Sequence, residues 1–404
     1  MPKICLYFQV HQPFRVKQYS HFRIGQDHDY FSTEAQGNLN NAEIFRKVAR
    51  KCYLPANRVM AELLERHPEF RISYSFTGTF LEQAAAYAPE VLASFKALVK
   101  TGRAEVLGET YHHSLAFLFS RDEFRRQVAL HRDAVRRHFG VRPKVFRNTE
   151  LIYSNAVAQE AEALGFKGII AEGADRVLGW RSPNFVYRPA GTRRISLLLK
   201  NYRLSDDIAF RFSSRAWNDW PLTADKFASW VNAVDSHSVS VNLFMDYETF
   251  GEHQWEDTGI FEFLRHLPDQ ILRHPGNSFA TPSELVAAHQ PLAEMDVPDY
   301  VSWADIERDL SAWKGNPLQD DALAAAYALE QPVKASGRAT LIDDWGKLLT
   351  SDHFYYMCTK WFADGDVHAY FNPYESPYEA YVSYMNALAD MRARLAMEGG
   401  ETYA

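Results

Sequence analysis

Cysteine is scarce in this 404-residue chain. The three present, Cys5, Cys52 and Cys358, are odd in number and spaced too widely for a zinc ribbon or a redox Cys-x-x-Cys pair, so disulfide stapling and cysteine-held metals are excluded. Basic charge is not in excess either: 44 Lys+Arg stand against 51 Asp+Glu, a formal net charge of −7. A protein that tracks phosphates needs a basic footprint, so no nucleic-acid partner is expected. Long apolar runs are also missing. The first, residues 4–10, follows only Lys3 and is too short for a signal-peptide core or a bilayer span, so a cytoplasmic protein without a membrane partner is expected. Gly173 and Gly251 stand isolated rather than in a nucleotide-binding motif, and no sugar-nucleotide or other cofactor is implied.

What is present is the balance of a globular protein with a sizeable core: 47% hydrophobic and 24% charged residues. Aromatic residues reach 14%, which fits dense core packing and an aromatic-lined cleft equally well. Seven short apolar runs, at residues 4–10, 71–76, 104–107, 144–147, 168–171, 195–200 and 239–245, read as strands. Amphipathic stretches at 42–66, 80–100, 121–139, 155–164, 224–234 and 259–273 read as helices between them. Strand–helix alternation predicts an α/β fold with a mostly parallel sheet, doubly wound or barrel. Long polar loops after the strands, such as 14–41, favour the barrel. From about residue 291 the pattern turns to Pro-containing loops and helix-forming stretches at 320–330 and 378–397. The expected organisation is a barrel over 1–290 and a helical region over 291–404 that contributes to the substrate cleft.

The residues at the C-terminal ends of the predicted strands form an acidic ring: His11, Glu109 with His112 and His113, Glu150, Glu172 with Asp175, and Asp246 with Glu248 and Glu252. In a βα barrel these positions converge on one mouth. Asp246 emerges where a buried strand ends, and Glu150 follows Val145 in the same way. Two opposed carboxylates suffice for glycoside cleavage, one attacking or activating water and the other protonating the leaving oxygen.

The order of these motifs resembles the five sequence regions of glycoside hydrolase family 57. They are His11-Gln12-Pro13, Gly102-Arg103-Ala104-Glu105-Val106, Glu150, Asp246-Tyr247-Glu248, and a late Trp-rich segment from Ser302-Trp303-Ala304-Asp305 to Trp313-Lys314-Gly315-Asn316. The late segment is most similar to the α-amylase-like branch. The resemblance implies an incomplete seven-stranded (β/α) barrel with a helical C-terminal region, acting on α-1,4-glucans or maltooligosaccharides with retention of configuration. It assigns Glu150 as nucleophile and Asp246 as general acid/base, a choice over Glu248 that strand geometry cannot make, since residues i and i+2 point the same way. Around Glu150 the chain reads Asn148-Thr149-Glu150-Leu151-Ile152-Tyr153, where many relatives carry Trp before the Glu and Arg or Val after it.

His11, Gln12, Glu105, Glu248, His253, Trp303, Asp309 and Trp313 are the expected substrate-binding residues. Glu105 could instead orient His11 or form a structural ion pair, and Trp217 and Trp220 could add a subsite or pack in a loop. Asp246 must hold a proton near neutrality, which desolvation and the charges of Glu150, Glu248 and Glu252 would favour. Three rivals remain open: a metal enzyme built on His11, His112, His113 and His253; a non-catalytic glucan-binding protein; and glucan transfer or branching through the same covalent intermediate. No metal site is expected, because an Asp-Asp motif is missing after the first strand, where His11-Gln12-Pro13 stands.

Overall fold

The computed structural model describes residues 2–35, 37–360 and 367–398. All seven expected strands form. β1 (Lys3–Val10), β2 (Ile72–Phe76), β3 (Ala104–Val106), β4 (Val145–Arg147), β5 (Gly168–Glu172), β7 (Ser196–Lys200) and β8 (Ser240–Asp246) lie at or within a few residues of the apolar runs. Three short strands were not expected: β6 (Val186–Pro189), β9 (Ser278–Phe279) and β10 (Glu294–Met295). They are two to four residues long and carry no alternation that a sequence window registers.

The strands make two parallel sheets, ordered β3-β2-β1-β8 and β4-β5-β7, with β6 antiparallel on the outer side of β7. Their register places Gln9 beside Asp246 and Tyr7 beside Ser73, so the strand ends point the same way. Gly108 joins the sheets on one side, donating to the Val145 carbonyl and accepting from the Arg147 amide. Only glycine fits there, because a Cβ would stand 2.7 Å from the Phe166 ring. On the other side the Asn201 amide reaches the Asn242 carbonyl and the Asn242 side chain bonds the Leu199 carbonyl, bringing β7 next to β8. Seven parallel strands thus curl in the order β1-β2-β3-β4-β5-β7-β8, an incomplete (β/α) barrel.

Two expected helices are interrupted. Residues 42–66 form one rod, but Ala49–Tyr53 widens to a π-turn between the helices Asn41–Val48 and Leu54–Arg66. Residues 80–100 split into Gly78–Tyr87 and Pro89–Lys100, because Ala88, preceding Pro89, adopts φ −156° outside the helical basin. The C-terminal region is helical, with Pro317–Ala328 and Pro377–Glu398 packed around Trp345. Val16, Tyr19 and Tyr30, from the long loop after β1, share that apolar cluster, so the loop ties barrel and helices together. Among the described residues, no helix is long and apolar enough to cross a membrane.

Candidate active site

A cavity of about 790 Å³ opens at the C-terminal ends of the strands. Its walls include His11, Gln12, Glu150, Asp246, Glu248, His253, Trp303 and Trp313 from the expected set. Lys200, Asp206, Arg308, Asp352 and Tyr355 stand there too, and none of these was singled out from the sequence for the site.

Glu150 sits at a sharp turn. Glu150 and Leu151 both adopt left-handed backbone conformations, φ 58° and 50°, as does His113 at φ 53°. Non-glycine residues pay roughly 1–2 kcal/mol each for this, and such strain concentrates at functional sites. The turn is clamped by the Leu151 and Ile152 amides on the Asn148 and Thr149 carbonyls, and by paired Tyr153–Val301 backbone bonds. Its effect is to present the carboxylate to three donors. His113 Nε2 lies 3.0 Å and Ser351 Oγ 2.9 Å from Oε1, while Trp303 Nε1 donates to Oε2 at 2.8 Å.

Behind Glu150 lies a buried charge relay. His113 Nδ1 faces Glu109 at 3.4 Å, and Arg147 stands 3.5 Å from the same carboxylate while also donating to Gln9. Burial works against a charged His113, but the Glu150 charge and the Glu109 hydrogen bond lift it to about 9. Burial likewise opposes ionisation of Glu109, yet His113 and Arg147 hold it at about 2. For Glu150, burial is outweighed by His113 and Arg147, so its carboxyl lies below the ordinary value and is ionised near neutrality.

Asp246 behaves oppositely. Burial first, and the Glu150 charge second, push it up to about 6. Burial and then Asp246 raise Glu248 further, to about 8, and Glu248 accepts from Tyr53, which accepts in turn from Gln12. The π-turn at Ala49–Tyr53 makes this possible by bringing Tyr53 and Cys52 against the loop after β8. Gly251 lets that loop come close: at φ 112°, a Cβ there would be 2.0 Å from the Lys51 carbonyl oxygen.

The C-terminal region supplies part of the site. Besides the Ser351 contact, the Ser351 amide donates to the His113 carbonyl, and Asp352 pairs with His11 Nε2 at 3.0 Å. His11 Nδ1 faces Thr77 Oγ1 at 2.9 Å, and its ring stacks on His113 with centroids 4.1 Å apart. His11, His113 and Asp352 are the metal-like group among the described residues, with ligand atoms within 4.8 Å of one another. The imidazoles stack face to face, and each Nε2 already has a carboxylate partner, Asp352 for His11 and Glu150 for His113. A tetrahedral cation site needs converging nitrogen lone pairs, so the set suits a hydrogen-bond relay better than a metal. His112 and His253 stand outside the group.

Trp303 is held by three cationic side chains. The Arg147 guanidinium and the Lys200 ammonium lie 5.2 and 5.6 Å from its ring centre. Arg308 grips its carbonyl at 2.6 Å and bridges Glu172 and Asp206, which also pair with Lys200.

Two expectations need correction. Glu105 does not reach the mouth and does not orient His11: it points to the lower barrel and accepts from the Ser283 amide and hydroxyl at the start of the helix Pro282–Ala288. A helix N-terminus accommodates a carboxylate, which answers the need of a charge set mid-strand. Asp309 binds the Ser311 amide and hydroxyl, fixing a turn, and is not among the cavity-lining residues. Trp313 lines the cavity as expected, while its 1% exposure and its place in the helical apolar cluster show that it also packs in the core. Of the two further tryptophans, Trp217 packs on Trp230 and Trp220 lies under Arg215, and neither is among the cavity-lining residues.

A family model described as Glycosyl hydrolase family 57 matches residues 5–298. A protein of Methanocaldococcus jannaschii named "Putative alpha-amylase" is 44% identical over 399 residues, covering 96% of this chain and 83% of that one. Among solved structures, the fold is similar to a branching enzyme of Pyrococcus horikoshii at TM-score 0.71 and 15% identity, over 100% of this chain and 92% of that one. It is also similar to a 4-alpha-glucanotransferase of Thermococcus litoralis at TM-score 0.67 and 15% identity, over 87% of this chain. The chain spans 56% of that longer structure.

Proposed function

The chain belongs to glycosyl hydrolase family 57, and on that footing we propose that it cleaves α-1,4-glucans with retention, Glu150 acting as nucleophile and Asp246 as general acid/base. One observation carries the proposal: two carboxyls line one cavity in opposed environments, Glu150 held below its ordinary value by His113 and Arg147 and Asp246 raised by burial and the Glu150 charge to about 6. That is the division of labour glycoside cleavage requires.

A Glu150 oxygen attacks the anomeric carbon as the glycosidic C–O bond breaks, and Asp246 gives its proton to the departing oxygen. Esterification removes the Glu150 charge, the second largest cause of the raised Asp246 value, so Asp246 becomes a better base for the second step. Asp246 then takes a proton from water, whose oxygen attacks the anomeric carbon and releases Glu150. The donors His113, Ser351 and Trp303 stabilise the carboxylate as it leaves. Transfer to a sugar hydroxyl would follow the same course with that hydroxyl in place of water. Hydrolysis is favoured because the 44%-identical relative bears an α-amylase name. The three buried free thiols, Cys5, Cys52 and Cys358, suit a reducing compartment such as the cytoplasm.

Incubation with maltoheptaose, with Glu150→Gln as blank, tests the proposal. Short maltooligosaccharides with new reducing ends mean hydrolysis. A ladder above seven glucose units without new reducing ends means transfer, and no Glu150-dependent change overturns the reading.

A further inference from the structure

The short helix Val367–Phe371 lies at the cavity mouth, and its two faces differ. One face is anchored. His368 is 1% exposed, its Nε2 lies 3.0 and 3.1 Å from the two Asp305 oxygens, and its ring stacks on Tyr355 at 4.5 Å. Asp305 is two residues from Trp303, so the helix is stapled to the loop that reaches Glu150.

The other face is open. Tyr370 is 62% exposed and Phe371 37%, both lining the cavity, with their rings 4.9 Å apart and nearly perpendicular. His253, seven residues beyond Asp246, meets both rings edge-on, at 5.2 Å to Phe371 and 6.1 Å to Tyr370. Its Nδ1 is buried and has no hydrogen-bond partner among the described residues. Burial pushes this imidazole down to about 4, so it is neutral at physiological pH, with one nitrogen able to donate and the other to accept.

Two exposed aromatic rings, on a helix anchored through His368 and next to a polar nitrogen, match the two-sided chemistry of a pyranose. Its C–H face covers apolar ring surface while its hydroxyls need donors and acceptors. The His368–Asp305 anchor matters because a surface fixed in place before binding loses less entropy when it binds. We propose that Tyr370 and Phe371, backed by His253, form a stacking subsite for a glucosyl residue of a chain whose reacting bond lies deeper in the cavity. The assignment rests on the proposed glucan activity and extends it by giving the helical region a role in sensing chain length.

Calorimetric titration of maltoheptaose and maltotriose into Glu150→Gln, with and without Tyr370→Ala plus Phe371→Ala, tests it. Loss of both rings weakens maltoheptaose by about tenfold and maltotriose by clearly less, as expected for stacking lost beyond the central subsites. Tyr370→Trp, which keeps a ring, retains the tight binding. Unchanged maltoheptaose affinity, or equal weakening at both lengths, overturns the subsite while leaving the glucan reading intact. Absence of any binding to Glu150→Gln itself overturns that reading and the subsite with it.

Discussion

Replacing His113 by Asn should weaken folding and chemistry together, in a pH-dependent way that identifies the cause. Asn tolerates the left-handed backbone at this position and places an amide near Nδ1, close to Glu109, while removing the Nε2 contact to Glu150. In the folded protein His113 rises from 6.5 to about 9. At about 1.4 kcal/mol per pKa unit this is roughly 3 kcal/mol of stability. Because the folded value is the higher one, that stabilisation is complete below about 6.5 and disappears as pH climbs through about 9. Urea unfolding should therefore show His113→Asn less stable by roughly 3 kcal/mol at pH 6, with the gap closing by pH 9.5. Loss of a charge-assisted bond worth about 2 kcal/mol to the proposed nucleophile should lower kcat/KM by about thirtyfold. The acid limb of the pH profile should also move up, since Glu150 loses the cation that holds its value down. A stability gap that stays constant from pH 6 to 9.5 would refute the reasoning, for it would mean that packing rather than charge sets the cost.

The alkaline limb of kcat/KM should fall about tenfold per pH unit above about 6, as Asp246 loses the proton that the proposed mechanism has it donate; a profile flat to pH 8 would assign the acid to another group. Ser351→Ala removes one neutral hydrogen bond from Glu150 and should lower kcat/KM about fivefold with the thermal midpoint little changed. Arg308→Met leaves Lys200 alone between Glu172 and Asp206, and should destabilise the fold by about 3 kcal/mol or more in urea unfolding.

The seven barrel strands were legible in the sequence because burial on both sides makes them short runs rich in apolar residues, a property of neighbouring residues only. The same local logic located Glu150 and Asp246, since whatever follows a buried parallel strand emerges at the barrel mouth. Choosing Asp246 over Glu248 took the family resemblance. Tertiary structure decided the rest. Ser351 lies 201 positions from Glu150, and Asp352 lies 341 from His11; no periodicity encodes contacts of that span. Glu105 shows the converse, for its motif was visible but its partner, Ser283, belongs to a helix whose docking beneath the barrel only the closed fold reveals. His112 and His113 were both visible at a strand end, but only packing separates them. His113 is fixed between Glu109 and Glu150, whereas burial pushes His112 down to about 3 among Arg126, Glu123 and the helical region. Local pattern determined where polar groups leave the core. Burial and long-range charge, which exist only once the chain has closed on itself, determined which of them favour a proton and which hold the Glu150 carboxylate.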